Sequence, residues 1–284
     1  MLYHNLMFRF SLLLLAVFLP QTLMAQRGAY VANALLIPLH DQKDQLQVRA
    51  GWGGGYGLEV SYSLTNHIAL FSTAKLDWGA RNHTTFLGST YVQHNNNCLL
   101  QSGIGYFKQF DRRYLNRMEL YTGVGTSSID NYWYYTSGSG SKEFTRARYR
   151  TAFSQFNVGK KGRRSDIAFG ARLAYSRYLD FAYYDNHPNM RYIRYRYEQV
   201  RVMTLEPAVS YGYRWKKFKA AVQGGFALPL ATSKANLVAV HTTDAGATIQ
   251  SIQEKPPLGA LLGQISLQYR FDLSKKDKPA SQAN

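Results

Sequence analysis

The stretch Gln199–Leu228, QVRVMTLEPAVSYGYRWKKFKAAVQGGFAL, decides the fold class. Met203, Leu205, Pro207, Val209, Tyr211 and Tyr213 alternate with Thr204, Glu206, Ala208, Ser210, Gly212 and Arg214. After Trp215, Lys216 and Lys217 the alternation resumes, with Phe218, Ala220, Val222, Phe226 and Leu228 set against Lys219, Ala221, Gln223, Gly225 and Ala227. A period of two marks strands with two unlike faces, so this is a hairpin of two long strands joined by a tight basic turn. A soluble strand runs about 5–6 residues, whereas an oblique bilayer crossing needs roughly 9–11, and both arms reach the longer figure. The small polar face suits a narrow barrel interior and the large apolar face suits lipid. Pro207 has no N–H to give to a sheet without edges, which predicts a bulge at that residue.

The start of the chain separates this reading from its soluble alternative, a long-stranded β-sandwich. Arg9 precedes an apolar run from Phe10 to Leu19, then Pro20 and small or polar residues up to Ala25. That pattern reads as an export signal over residues 1–25, too short to span as a helix, with the mature chain starting at Gln26. Elsewhere no stretch approaches the ~20 continuous apolar residues of a membrane helix. Residues 26–44, irregular and containing Pro38, read as a periplasmic N-terminal lead. Residues 45–273 read as the barrel, and residues 274–284 as a flexible polar tail.

Working outward from the hairpin, Leu46, Val48, Ala50 and Trp52 open the strand series, and Leu58, Val60, Tyr62 and Leu64 follow after the turn Gly53-Gly54-Gly55. Without a strand-to-helix context or a following Lys-Ser/Thr, those glycines form a turn rather than a phosphate cradle, and no cofactor is called for. Further strands carry Ile68–Trp78, Cys98–Phe110, Met118–Val124, Arg146–Lys160, Ile167–Tyr175 and Leu261–Phe271. In Cys98–Phe110 the faces are ambiguous, because Leu99 and Leu100 are adjacent and Phe107 breaks the alternation. The total is about ten strands, with eight and twelve as the neighbouring counts, and an even number suits a bacterial barrel. Connections after the second, fourth, sixth and eighth strands are short. Those after the third, fifth, seventh and ninth are long: Gly79–Asn97, Ser127–Phe144, Asp180–Arg196 and Pro229–Pro257. Sorting by parity predicts an up-and-down antiparallel transmembrane β-barrel of the outer membrane, with short turns and both termini in the periplasm and long loops outside.

Composition agrees. Aromatics make up 14% and hydrophobic residues only 45%, as expected of a thin apolar band edged by aromatic girdles. In an exported chain the net charge of +17 points to lipopolysaccharide phosphates or acidic glycans rather than nucleic acid. The single cysteine, Cys98, excludes an internal disulfide framework.

With the apolar faces on lipid, Arg49, Glu59, Glu119, Arg172, Glu206, Arg214 and Arg270 line the lumen. They read either as an ion-pair network that plugs it or as a narrow path for small anions. In the long loops Tyr132, Trp133, Tyr134, Tyr135, Tyr183, Tyr184, Tyr192 and Tyr195 offer stacking surfaces for sugar rings or a partner protein. Arg146, Arg148, Arg191, Arg194 and Arg196 offer guanidiniums to anionic lipid phosphates. Asp77 with His83 and His94, and Asp185 with His187, are the acid–His sets considered for chemistry at the long rim. They lack a recognisable catalytic or metal-ligand spacing, so no catalytic or metal residue is assigned. The expectation is a non-enzymatic envelope protein with a plugged or narrow lumen. A narrow anion channel and a barrel enzyme acting on lipid A or peptides are the alternatives.

Asn33 through Pro38-Leu39, Leu46-Gln47, the glycine-rich bend, and Glu59-Val60-Ser61-Tyr62-Ser63-Leu64-Thr65-Asn66-His67-Ile68-Ala69-Leu70 resemble small outer-membrane barrel proteins of the Bacteroidetes group. The Ala25-Gln26 junction and the ending Tyr269-Arg270-Phe271 are similar too. The resemblance implies an outer-membrane location and a porin-like barrel, and it lends no catalytic residue. The chain departs from lipid-anchored relatives in having no cysteine after the signal.

Overall fold

The computed structural model describes residues 29–84, 90–112, 114–135, 142–187, 190–243, 246–254, 256 and 258–273. The expected signal, residues 1–25, and tail, residues 274–284, lie outside the described residues. The strands are β1 (Gln45–Trp52), β2 (Tyr56–Ser63), β3 (Ile68–Thr84), β4 (Thr90–Gln109), β5 (Arg117–Tyr135), β6 (Lys142–Lys161), β7 (Ser165–His187), β8 (Met190–Glu198), β9 (Arg201–Trp215), β10 (Phe218–Thr232), β11 (Ala235–Thr243), β12 (Gly246–Glu254) and β13 (Ala260–Asp272). Ten of them close into an antiparallel barrel in the order β1-β2-β3-β4-β5-β6-β7-β9-β10-β13. β13 pairs back onto β1, and the β7–β9 ladder from Ser165↔Tyr213 to Arg177↔Arg201 shuts the cylinder.

Burial follows the alternation read from the sequence. On β7 Ile167, Phe169, Leu173 and Tyr175 are exposed, while Ala168, Arg172, Ala174 and Ser176 are buried. Large apolar side chains outside and polar ones inside invert the arrangement of a soluble protein, as a lipid-facing wall requires. On β4 the ambiguity resolves: Leu99 and Phe107 point inward and are buried, and Leu100, Ile104 and Tyr106 are exposed outside. Pro207 does not mark a bulge. The β9–β10 register is the same on both sides of it, and the shift falls at Pro229/Ala231 instead. Pro207 simply leaves a gap in that ladder, while its other edge pairs with Ala171.

Much of the four stretches expected as long loops is strand. β3 and β4 stay paired up to Thr84↔Thr90, and β5 and β6 up to Tyr134↔Lys142. Above a membrane both faces of a hairpin meet water, so the backbone ladder continues while the period-two signal fades. The upper part of β7 leaves β9 and pairs with β8 instead, and β8, β11 and β12 form a wing beyond the barrel wall. Gln199, at φ 58°, makes the break between β8 and β9.

The largest departure concerns residues 26–44. Residues 29–40, the described part of the expected periplasmic lead that precedes the turn into β1, lie inside the barrel. Ala29, Asn33, Ala34, Leu35, Leu36, Ile37, Leu39 and His40 are all buried. Ala29 sits at the wing end of the lumen, packed with Tyr178, Phe181, Val200 and Leu258, whereas His40 lies near Gln45 and Ser61 at the short-turn end. Twelve extended residues reach at most about 40 Å, enough for the height of a membrane barrel. The C-terminal end of β13 pairs with Gln45 at the short-turn rim. The first described residue and the end of β13 therefore lie at opposite rims. Apolar side chains drive the insertion: Leu36 joins Phe71, Phe107, Tyr121 and Phe153 in one cluster, and Leu35 and Ile37 join Ala168, Ala208 and Leu262 in another.

Tyr121 illustrates how tightly the lumen is filled. Its ring lies edge-on to Phe71 at 5.4 Å and covers Gly105, where an added Cβ would overlap the ring. Gly105→Val should therefore lower the urea midpoint of the folded barrel by the equivalent of about 1–3 kcal/mol, the usual cost of overpacking. An unchanged midpoint would contradict this placement of Tyr121.

Candidate functional site

The lumen is the site around which the inward side chains converge. Alternation turns Arg49 (β1) and Glu59 (β2) to the inside at directly paired positions, and likewise Arg172 (β7) and Glu206 (β9). Both form buried ion pairs, with Arg49 Nε also donating to Glu59 at 2.8 Å. Each arginine then spends a second nitrogen on the threaded segment: Arg49 Nη2 donates to the Leu35 carbonyl at 3.0 Å and Arg172 Nη2 to the Asn33 carbonyl at 2.9 Å. Other strands treat the segment in the same way. Lys75 (β3) donates to the Ala32 carbonyl at 2.9 Å, Gln155 and Asn157 (β6) to Leu36 at 2.6 and 2.7 Å, and Tyr178 (β7) to Ala29 at 2.9 Å. Glu119 (β5) accepts from the His40 backbone N–H at 3.0 Å and from Asn157 at 3.1 Å. Asn33 donates to Thr73 and Gln101, and Tyr30 to Glu206.

An irregular segment carries unpaired backbone groups, and burying them is tolerable only where partners are supplied. Here the barrel supplies them from β1, β3, β5, β6, β7 and β10, the last through Gln223. At the short-turn rim Asp41 meets Lys161 at 2.5 Å and Arg270 at 3.9 Å. Burial alone would raise the Asp41 carboxyl, yet the Lys161 ammonium, the Gln45 amide and Arg270 together hold the group below the usual carboxylate range.

All seven residues expected in the lumen lie on the inner face, but they separate by depth. Arg49, Glu59, Glu119, Arg172 and Glu206 are deeply buried. Arg214 and Arg270 sit at the rim, Arg214 bonded to Asp166 at 2.7 Å and Arg270 near Asp272 at 3.4 Å. The remaining space is uneven. The cavities near Pro38 measure only about 20 and 10 Å³, whereas a chamber of about 380 Å³ lies beside the β1–β2 hairpin tip, between Tyr30, Asp77, Asn95, Asn97 and Gln264.

The expected aromatic set does not form one surface. Tyr132 stacks on His94 at 4.3 Å and on Phe144 at 5.7 Å, with Tyr134 6.1 Å from His94. Trp133 points to the opposite face, edge-on to Tyr91 at 5.9 Å. Tyr183 is buried against Tyr195 and bonded to Glu143. The side chains of Tyr135, Tyr184 and Tyr192 lie outside the described residues, as do those of Arg191 and Arg194. Of the other basic residues, Arg146 pairs with Asp130 at 3.2 Å, and Arg148 and Arg196 are exposed. Asp77 and His94 do not meet: Asp77 is inside, bonded to Arg81 and Asn95, while His94 stacks on the outer face. The side chains of His83, Asp185 and His187 lie outside the described residues.

Sequence reasoning missed the lumenal segment and Asp166. A usable signal existed for the segment: residues 29–39 carry no charge and are mostly apolar, which is a poor composition for a solvated lead.

No protein-family model and no curated protein matches the chain. Among solved structures it is similar to the outer membrane protease OmpT from Escherichia coli, at 13% identity and a TM-score of 0.50, over 84% of this chain and 99% of that one. At this identity the likeness shows the fold, an outer-membrane β-barrel.

The coupled lumen pairs make a specific demand. Arg172→Met should destabilise the barrel by about 3–5 kcal/mol, because Glu206 is left buried without its partner. Arg172→Met combined with Glu206→Leu should recover a substantial part of that loss in the same urea titration. Equal losses would show that the pair does not act as a unit.

Proposed function

We propose that the chain is a non-conducting, non-enzymatic outer-membrane barrel whose lumen is closed by its own N-terminal segment and whose contacts are made by the hairpins and wing at the long rim. The observation that carries this reading is the set of lumen side chains bonded to the backbone of residues 29–40. An anion path needs guanidiniums free to exchange partners, and Arg49 and Arg172 are each held by a carboxylate and a carbonyl. The peptidase reading suggested by the neighbour's name needs an acid–His pair within reach, and of the sets read from the sequence the one whose side chains are described, Asp77 with His94, lies on opposite faces. The short turns face the periplasm and the long hairpins face outward, the arrangement bacterial barrels use. There Tyr132, Tyr134, Arg148 and Arg196 meet lipopolysaccharide, a glycan or a partner protein.

In a planar bilayer the refolded chain should be silent, and a variant lacking residues 29–40 should show unitary steps. Reproducible steps from the intact chain would contradict the closed lumen.

A further inference from the structure

On the outer wall one row of paired residues runs Leu100–Thr126–Arg150–Arg177–Arg201 across β4, β5, β6, β7 and β9. The three arginines are exposed, and none forms an ion pair with another described residue. Like charges directly opposite on neighbouring strands repel, so an arrangement of this kind calls for a bound anion. The next row toward the short-turn rim is Ser102–Val124–Ala152–Tyr175–Met203, which belongs to the lipid-facing band. From Ile167, at the other end of that band on β7, to Arg177 is ten residues. At about 3.3 Å per residue and a tilt of about 40°, that rise is about 25 Å, the height of an outer-membrane apolar belt. The arginines therefore sit where lipid headgroups begin.

Beneath them the small side chains Ser102 and Ala152 leave a groove of about 530 Å³ in the wall, with Leu100, Val124 and Tyr175 beside it and Arg150 and Arg177 at its head. A headgroup site joined to an apolar groove matches one molecule with both parts. We infer that Arg150, Arg177 and Arg201 bind the phosphate of lipid A, with an acyl chain in the groove. Guanidiniums suit this task because they present several donors in a plane and remain charged. The inference rests on the outward orientation of the long rim proposed above.

Native mass spectrometry of the refolded chain with bisphosphorylated lipid A should retain a one-to-one adduct. Arg150→Gln/Arg177→Gln/Arg201→Gln should weaken it about tenfold or more, the loss expected from removing even one charge-assisted contact. Lys216→Gln/Lys217→Gln, at the short-turn rim, should leave it unchanged. The heat-sensitive gel shift confirms folding of each variant, and if the triple variant does not refold, Arg177→Gln alone carries the test. Wild-type affinity in the arginine variant would overturn the site, as would an equal loss in the lysine variant. Phosphatidylglycerol bound as tightly as lipid A would overturn the assignment to lipid A and with it the orientation. None of these readouts depends on whether the lumen conducts, so this site and the closed lumen fail separately.

Discussion

The structure depends on finding partners for charges and backbone groups held away from water. A barrel of ten strands that turns Arg49, Glu59, Glu119, Arg172 and Glu206 inward has a polar interior too narrow to hydrate freely. Cross-strand pairing settles part of that demand, because Arg49 opposes Glu59 and Arg172 opposes Glu206 in register. The threaded segment settles much of the rest. Its carbonyls take the donors left over on the arginines, on Lys75 and on the β6 amides, and its leucines fill the apolar gaps between them. Barrel and segment complete each other: one lacks acceptors and apolar volume, and the other lacks regular hydrogen bonds.

The outer surface obeys a different constraint. Lipid favours apolar side chains, and on β7 the outward series Ile167, Phe169, Leu173 and Tyr175 is followed by Arg177, in line with Arg150 and Arg201. Above that line the ladders continue, β3 with β4 up to Thr84↔Thr90 and β5 with β6 up to Tyr134↔Lys142. The inner and outer sites thus arise from the same alternation, with Arg49 and Arg172 neutralised by carboxylates inside and Arg150, Arg177 and Arg201 facing out.

The sequence was legible where physics imposes a period. Between lipid and lumen every second residue must change character, and the ten barrel strands, their order and the facing of Glu206, Arg172 and Arg49 could all be read from that rule. Legibility ended where the rule lapses. In Asn95-Asn96-Asn97 both faces are polar, so a continuing strand looked like a loop. At Leu99 and Phe107 the lumen is apolar because a segment fills it, and inward and outward residues then look alike. The segment itself has no period, since each residue is placed by side chains from distant strands such as Gln155 and Arg172. The row of arginines was hidden for a related reason: Arg150, Arg177 and Arg201 are remote in sequence and become neighbours only through register.

The measurement that bears most directly on this account is disulfide trapping of the segment inside the barrel. Asn33 Nδ2 lies 3.2 Å from Thr73 Oγ1 on the inner face of β3, whereas the adjacent Ser72 faces outward. In a Cys98→Ser background, Asn33→Cys with Thr73→Cys should oxidise to a crosslink seen as a mobility shift in the non-reducing gel, and Asn33→Cys with Ser72→Cys should not. A failure of the first pair to crosslink in a folded barrel, or equal crosslinking of both, would show that residues 29–40 do not occupy the lumen.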